Sequence, residues 1–308
     1  HPNLMSIADK FDAFLFDASG VLWDGREFYP GVFDTMRTLR EAGKAVYVLS
    51  NTALLGEDAV ARHLKRGTDL GEYCDLFITS GDAAREVFLA GGLAFENNPA
   101  PAKFVHIGRP DPKLFEGTQY TEVESAEEAD FFYISIPQKS APVHGFVSYE
   151  NKKSTPEKPQ FDFMDASVFE PELREFLRLG LPGVNVNPDL RAATEDKNSG
   201  EIHYVARQGA VAQAYEAMGG EIVEFGKPHR GIYEYAFARL GERALDKSRI
   251  AMIGDTLRTD IKGANGAGIK GVLCVENGVV AEALAGGATL EKLIEIEDGK
   301  PDFLIKSV

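Results

Sequence analysis

A short apolar run, Ala13 to Asp17 (AFLFD), stops on a carboxylate and leads at once into a glycine-containing turn. Two more runs of this kind follow, Ala45 to Ser50 (AVYVLS) and Leu76 to Ser80 (LFITS). Runs this short, apolar along their length rather than at alternate positions, suit strands buried on both faces. Helical patterns lie between them, over Gly31 to Ala42 after Pro30 and over Glu57 to Arg66. A further helix is predicted over Asp82 to Leu89, with Ser80 as its N-cap. Strands separated by helices pair in parallel, with the helices covering both faces of the sheet. The fold class is therefore α/β.

The same alternation returns near the C-terminus. Helices are predicted over Gln208 to Met218, Gly231 to Leu240 and Ile261 to Ala267. Strands are predicted over Glu221 to Phe225, Arg249 to Ile253 and Gly271 to Val275. The stretch between the two regular parts is less orderly. Lys103 to Ile107 and Phe131 to Ile136 read as strands, and Pro171 to Leu179 as a helix. Pro137 to Pro159, with prolines, lysines and few apolar residues, reads as a long loop or extended hairpin. The expected organisation is a core domain made of residues 1–90 and 190–308, with a smaller α/β domain, residues 91–189, inserted between its halves.

Composition narrows the function. Hydrophobic residues make up 44% of the chain, enough for a sizeable core. No apolar run reaches the ~18 residues that span a bilayer. His1 to Lys10 lacks the apolar middle of a secretory signal, and the four residues before Met5 are set aside. The net charge of -15 repels a nucleic-acid backbone. It does not exclude a small phosphorylated substrate, because a few cations dominate the field inside a cleft. Cys74 and Cys274 lie far apart in apolar stretches and read as buried thiols. A soluble cytoplasmic protein, without a membrane or nucleic-acid partner, is expected.

Four segments carry chemistry. In open parallel sheets the working residues sit at the carboxyl ends of strands. Asp17 in FDASGVLWDG, Ser50 in VYVLSNT and Asp255 in IAMIGDTLRTDI each end a predicted strand, so the three converge on one cleft. Ser50, Asn51 and Thr52 offer hydroxyl and backbone N–H groups to phosphate oxygens. Lys227 in FGKPHRGIYEYA sits between a strand and a helix, where it can neutralise charge on a transferring phosphoryl group. Asp255 and Asp260 flank a short loop after a strand and supply the oxygen ligands Mg²⁺ prefers. Taken singly, each segment has an ordinary structural explanation as a turn or a capped helix. The spaced glycines of Gly263 to Gly268 (GANGAG) follow a helix rather than a strand, so they read as helix packing and not as a dinucleotide loop.

In this order, the four segments resemble the four motifs of the haloacid dehalogenase superfamily. The details GVLWDG before Pro30-Gly31, NPDL at Asn187 to Leu190, GKPH at Gly226 to His229 and GDTLRTDI at Gly254 to Ile261 resemble its type IIA capped branch of p-nitrophenylphosphatases and nucleotide monophosphatases. The resemblance implies a Rossmann-like parallel sheet with an inserted α/β cap, and a Mg²⁺-dependent phosphatase of small metabolites. Residue by residue it implies Asp17 as nucleophile forming an aspartyl-phosphate, Ser50 as phosphoryl-binding hydroxyl and Lys227 as the stabilising cation. It implies Asp17, Asp255 and the backbone carbonyl of Ser19 as Mg²⁺ ligands, with Asp260 supporting the metal or the lysine. Asn187 and Asp189 resemble the hinge between cap and core, and capped members often pair as homodimers.

The chain departs from the family at one position. Phosphatases of the family carry an acid two residues after the nucleophile, and here that residue is Ser19. A serine is a poor general acid–base at neutral pH, so the expectation is slow hydrolysis, a long-lived aspartyl-phosphate or no turnover. His229 or a residue of the inserted domain is a candidate substitute, and Arg109, Lys139 and His144 are candidate anion contacts. Two other readings share this site: a catalytically silent phosphate-binding protein, and phosphonate cleavage or phosphoryl transfer to another acceptor.

Overall fold

The computed structural model describes residues 1–108, 112–137, 166–195 and 202–308. In chain order the first elements are β1 (Ala13–Phe16), α1 (Val32–Glu41), β2 (Ala45–Ser50), α2 (Gly56–Leu64), β3 (Leu76–Thr79) and α3 (Ser80–Leu89). There follow β4 (Lys103–Ile107), β5 (Thr121–Glu122), β6 (Phe131–Ile134), α4 (Glu170–Leu179), β7 (Gly183–Asn185), β8 (Arg191–Glu195), β9 (Ile202–Ala206), α5 (Gln208–Ala217) and β10 (Ile222–Glu224). The chain ends with α6 (Arg230–Leu240), β11 (Ile250–Gly254), α7 (Lys262–Ala267), β12 (Lys270–Cys274), α8 (Gly278–Ala285), α9 (Leu290–Glu297) and β13 (Phe303–Ile305). Bounds of the predicted strands β2 and β4 coincide with the observed ones. Most others differ by one or two residues, the ordinary scatter at element ends.

The chain divides into two compact units. The first holds His1–Ser50, Leu54–Ser80 and Gly226–Val308; the second holds Asn51–Ala53 and Gly81–Phe225. The first is built on a six-stranded sheet of order β13-β12-β11-β1-β2-β3, parallel throughout. All four residues of β1 and all five of β11 are buried, as strands covered on both faces must be. Successive strands run outward from β1 in one direction and from β11 in the other. The boundary between them is the point where strand order reverses, the place where open parallel sheets carry their working residues.

The second unit has its own parallel sheet, β10-β7-β6-β4-β5, and an antiparallel pair, β8 with β9. Its residues differ from the expected insert of 91–189. Glu221 to Phe225, expected to extend the core sheet, instead pairs as β10 with β7, Ile222 opposite Gly183. Helix α5, just before it in the chain, also belongs there, burying Val211, Ala212 and Tyr215 in one cluster with Phe132 and Phe176. Helix α3 buries Ala84 and Phe88 among Phe95, Phe104 and Phe115. Where an apolar face finds its partners decides the unit, and these faces find theirs in the second sheet. The loop or hairpin expected over Pro137 to Pro159 lies, after Pro137, outside the described residues.

Phe132 holds the second unit's core together. It is fully buried, stacks on Phe176 at a ring separation of 4.5 Å and meets Tyr215 edge-on at 4.9 Å. Phe132→Ala leaves a cavity among these rings and is expected to lower stability by about 3–5 kcal/mol. Urea denaturation followed by circular dichroism measures the loss; a change under ~1 kcal/mol contradicts this account of the core.

Candidate active site

Parallel pairing of β1 with β11 places Phe16 opposite Ile253, and the Asp17 N–H donates to the Ile253 carbonyl at 2.8 Å. Asp17 and Asp255 therefore stand just past the carboxyl ends of adjacent strands. Asp260 is brought back to them by a single wide helical turn, Leu257–Ile261, that starts directly after Thr256. Its Oδ2 accepts from the backbone N–H groups of Asp255 and Thr256, each at 3.2 Å. Lys227, after Gly226 and before Pro228, comes from a different part of the chain. Its Nζ lies 2.5 Å from Asp17 Oδ1 and 2.8 Å from Asp260 Oδ1. The lysine side chain is only 1% exposed.

Asp17, Asp255 and Asp260 each bring one carboxylate oxygen to within 4.8 Å of the others. Three acids thus face one ammonium. Burial pushes the Asp255 carboxyl well above the usual range; the negative charges of Asp17 and Asp260 add to this, while the Val279 N–H and Lys227 oppose it. Burial also raises Asp260, with Lys227 opposing and Asp17 reinforcing the shift. The group is short of positive charge. An all-oxygen set of convergent carboxylates suits a hard divalent cation, so these residues fit the metal that the sequence motifs imply. Among the described residues this is the acid, histidine and cysteine group whose ligand atoms come this close.

The remaining predicted residues have separate places. Ser50 ends β2, partly buried, on the strand next to β1. Ser19 is exposed in the loop after β1, where its backbone bridges to Trp23 and the Gly20 N–H donates to the Trp23 carbonyl at 2.8 Å. Asn51 is buried, and its side-chain amide donates to Asp189 Oδ1 at 2.8 Å. The Thr52 carbonyl accepts from the Gly81 N–H at 3.2 Å. Asn187 accepts the Asp189 N–H through its side-chain oxygen at 3.0 Å, and its own N–H donates to Asn185 Oδ1 at 3.1 Å. His229 is exposed at the N-cap of α6. Arg109, Lys139 and His144 lie outside the described residues.

One part of the site is missed by the sequence reading. The loop after β12, Glu276 to Val279, reaches Asp255, whose Oδ2 accepts from the Val279 N–H at 2.7 Å. An Asn-Gly pair, Asn277-Gly278, separated by Glu276 alone from the apolar run that ends at Val275, is the turn signal that marks it.

Residues 14–108 match the family described as haloacid dehalogenase-like hydrolase, and residues 224–308 match a second, described as HAD-hydrolase-like. Along the whole chain, a 4-nitrophenylphosphatase of Schizosaccharomyces pombe is 25% identical, the similarity covering 97% of this chain and 93% of that protein. Phosphoglycolate phosphatase 2 of Arabidopsis thaliana is 27% identical, over 99% of this chain and 94% of its own. The crystal structure of a haloacid dehalogenase-like hydrolase from Brucella suis 1330 superposes with a TM-score of 0.77 at 23% identity, covering 100% of this chain and 99% of that one. Two family matches in the order of the core's two halves, with most of the inserted α/β unit between them, lead to one conclusion: the chain is a hydrolase of the haloacid dehalogenase superfamily, on its type IIA capped branch.

Proposed function

We propose that this protein is a Mg²⁺-dependent phosphatase of small phosphorylated metabolites, working through an aspartyl-phosphate on Asp17. The observation that carries the reading is the placement of Lys227 between Asp17 and Asp260, with Asp255 completing a triad of carboxylates. The names of the two similar proteins, phosphatases of 4-nitrophenyl phosphate and phosphoglycolate, support small organic phosphates as the substrate class.

Asp17 and Asp255, with the Ser19 carbonyl, would hold the cation, and Asp260 would steady Lys227 against Asp17. Bound Mg²⁺ supplies the positive charge that relieves repulsion between an attacking carboxylate and phosphoryl oxygens. Asp17 is the one triad carboxylate that is not fully enclosed, with 14% of its side chain exposed, as an attacking group must be. It attacks phosphorus, the bond to the leaving oxygen breaks, and Lys227 neutralises charge that develops on the phosphoryl group. Ser50, on the neighbouring strand end, offers a hydroxyl to the same group. Water then attacks the phosphorus of the acyl phosphate, releasing inorganic phosphate and restoring Asp17.

Ser19 weakens the proton transfers in this sequence. The leaving oxygen needs a proton in the first half and the water must lose one in the second. A serine hydroxyl does neither well near neutral pH, and general acid–base help is typically worth about 10²–10⁴-fold. Charge stabilisation is intact while proton transfer is not, so the aspartyl-phosphate persists.

Three outcomes follow. Turnover of p-nitrophenyl phosphate requires Mg²⁺, is abolished by a chelator and returns on re-addition of the metal. Intact-mass spectrometry after mixing with substrate finds a single added phosphoryl group, which is absent in Asp17→Asn; a phosphoryl group that survives this substitution refutes the assignment of the nucleophile. Ser19→Asp raises steady-state hydrolysis about 10²–10⁴-fold and shortens the life of the phosphorylated form; unchanged hydrolysis rules out the proton-transfer deficit.

A further inference from the structure

We infer that the turn Asn277–Val279 and the glycine after Ser19 form a positioning clamp that aims the Asp255 carboxylate at the cation. The inference rests on the metal reading above and adds residues to it that ligate nothing themselves.

Asp255 is held on two sides. From one, the start of α8 grips both its backbone and its side chain: the Val280 N–H donates to the Asp255 carbonyl at 3.2 Å, and the Val279 N–H to Oδ2 at 2.7 Å. From the other, the loop after β1 lies flat against it at Gly20. A Cβ built on either Gly20 or Gly278 would approach Asp255 Oδ2 to under 3.0 Å, closer than real Cβ contacts come. Both glycines also have left-handed backbone, φ +88 at Gly20 and +74 at Gly278, where L side chains rarely go. The carboxylate therefore sits in a slot whose two walls are peptide backbone.

The slot treats the two oxygens differently. Oδ2 is walled in and engaged by the Val279 N–H. Oδ1 has one long hydrogen bond, from the Thr256 hydroxyl at 3.3 Å. With only 2% of the residue exposed, the carboxylate has no room to swing away. Oδ1 is thus the oxygen presented for metal, in a fixed direction. Gly20 lies three residues after Asp17, so its bare Cα also sets how near the Asp17 loop comes to Asp255. Gly287 shows what a turn alone requires: its φ is +92, yet a Cβ there meets nothing within 4 Å. Gly278 must satisfy both the turn and the carboxylate.

The test is Mg²⁺ binding by isothermal titration calorimetry, with apo-protein thermal unfolding alongside. Outer partners that orient metal ligands typically cost 10–100-fold in affinity when altered, and about that loss is expected for Gly278→Ala. Val279→Pro keeps the space but deletes the N–H, at a position in the first helical turn that tolerates proline, and is expected to weaken binding about 10-fold. Gly287→Ala also strains a left-handed glycine, but its Cβ touches nothing, Asp255 included, and it keeps wild-type affinity. Should Gly278→Ala fail to fold, Val279→Pro decides alone. Wild-type Mg²⁺ affinity in the clamp variants, with binding lost in Asp255→Asn, overturns the clamp and leaves the metal reading standing. A wild-type chain that binds no Mg²⁺ overturns both.

Discussion

A buried ammonium is the constraint around which the first unit is organised. Lys227 is almost wholly removed from water, a position an unpaired charge does not tolerate. It is tolerated with Asp17 and Asp260 meeting it at ion-pair distance. Those partners come from the first strand's end and from the turn after β11, so the lysine can be accommodated only once both halves of the sheet are assembled. The same arrangement leaves an excess of carboxylate over ammonium, and burial magnifies the imbalance at Asp255. Stability and chemistry share this cluster: the charges that the lysine balances in folding are the charges proposed to act on phosphate.

Sheet topology decides where such a cluster can exist. Strands β1, β2 and β3 spread to one side, and β11, β12 and β13 to the other. Such a reversal of strand order is where open parallel sheets carry their working residues. A second α/β unit is inserted in the chain between these two sets of strands, with its own parallel sheet and its own aromatic core. Neither half of the first sheet holds the full set of charged groups: Asp17 belongs to one, and Lys227, Asp255 and Asp260 to the other.

On the proposed reading, Ser19 separates two contributions that phosphatases of this superfamily combine. Electrostatic holding of a phosphoryl group, on that reading, rests on Lys227, the carboxylates and a cation, and none of these needs an acid at that position. Proton transfer does need one. A chain that keeps the first and lacks the second is proposed to capture phosphate well and release it slowly.

Much of the site is legible because its signals are local. An apolar strand ending in a carboxylate, a lysine before a proline, and two acids spaced around a short turn are visible in a few residues each, which is why Asp17, Lys227, Asp255 and Asp260 stand out without coordinates. The alternation of strands and helices likewise determines an α/β fold with parallel sheets. Tertiary structure decided what no short stretch encodes. Glu221 to Phe225 has the pattern of a strand, but a strand chooses its neighbour by hydrogen bonds to distant residues, and β10 found β7 in the second sheet. Asn51 reads as a phosphate contact through its backbone N–H, and only the fold shows that its side-chain amide donates to Asp189, far along the chain. Gly278 reads only as a turn, because the carboxylate that forbids a side chain there lies more than twenty residues away along the chain. Local pattern specifies which elements form; contact between elements that are remote in sequence specifies which groups meet.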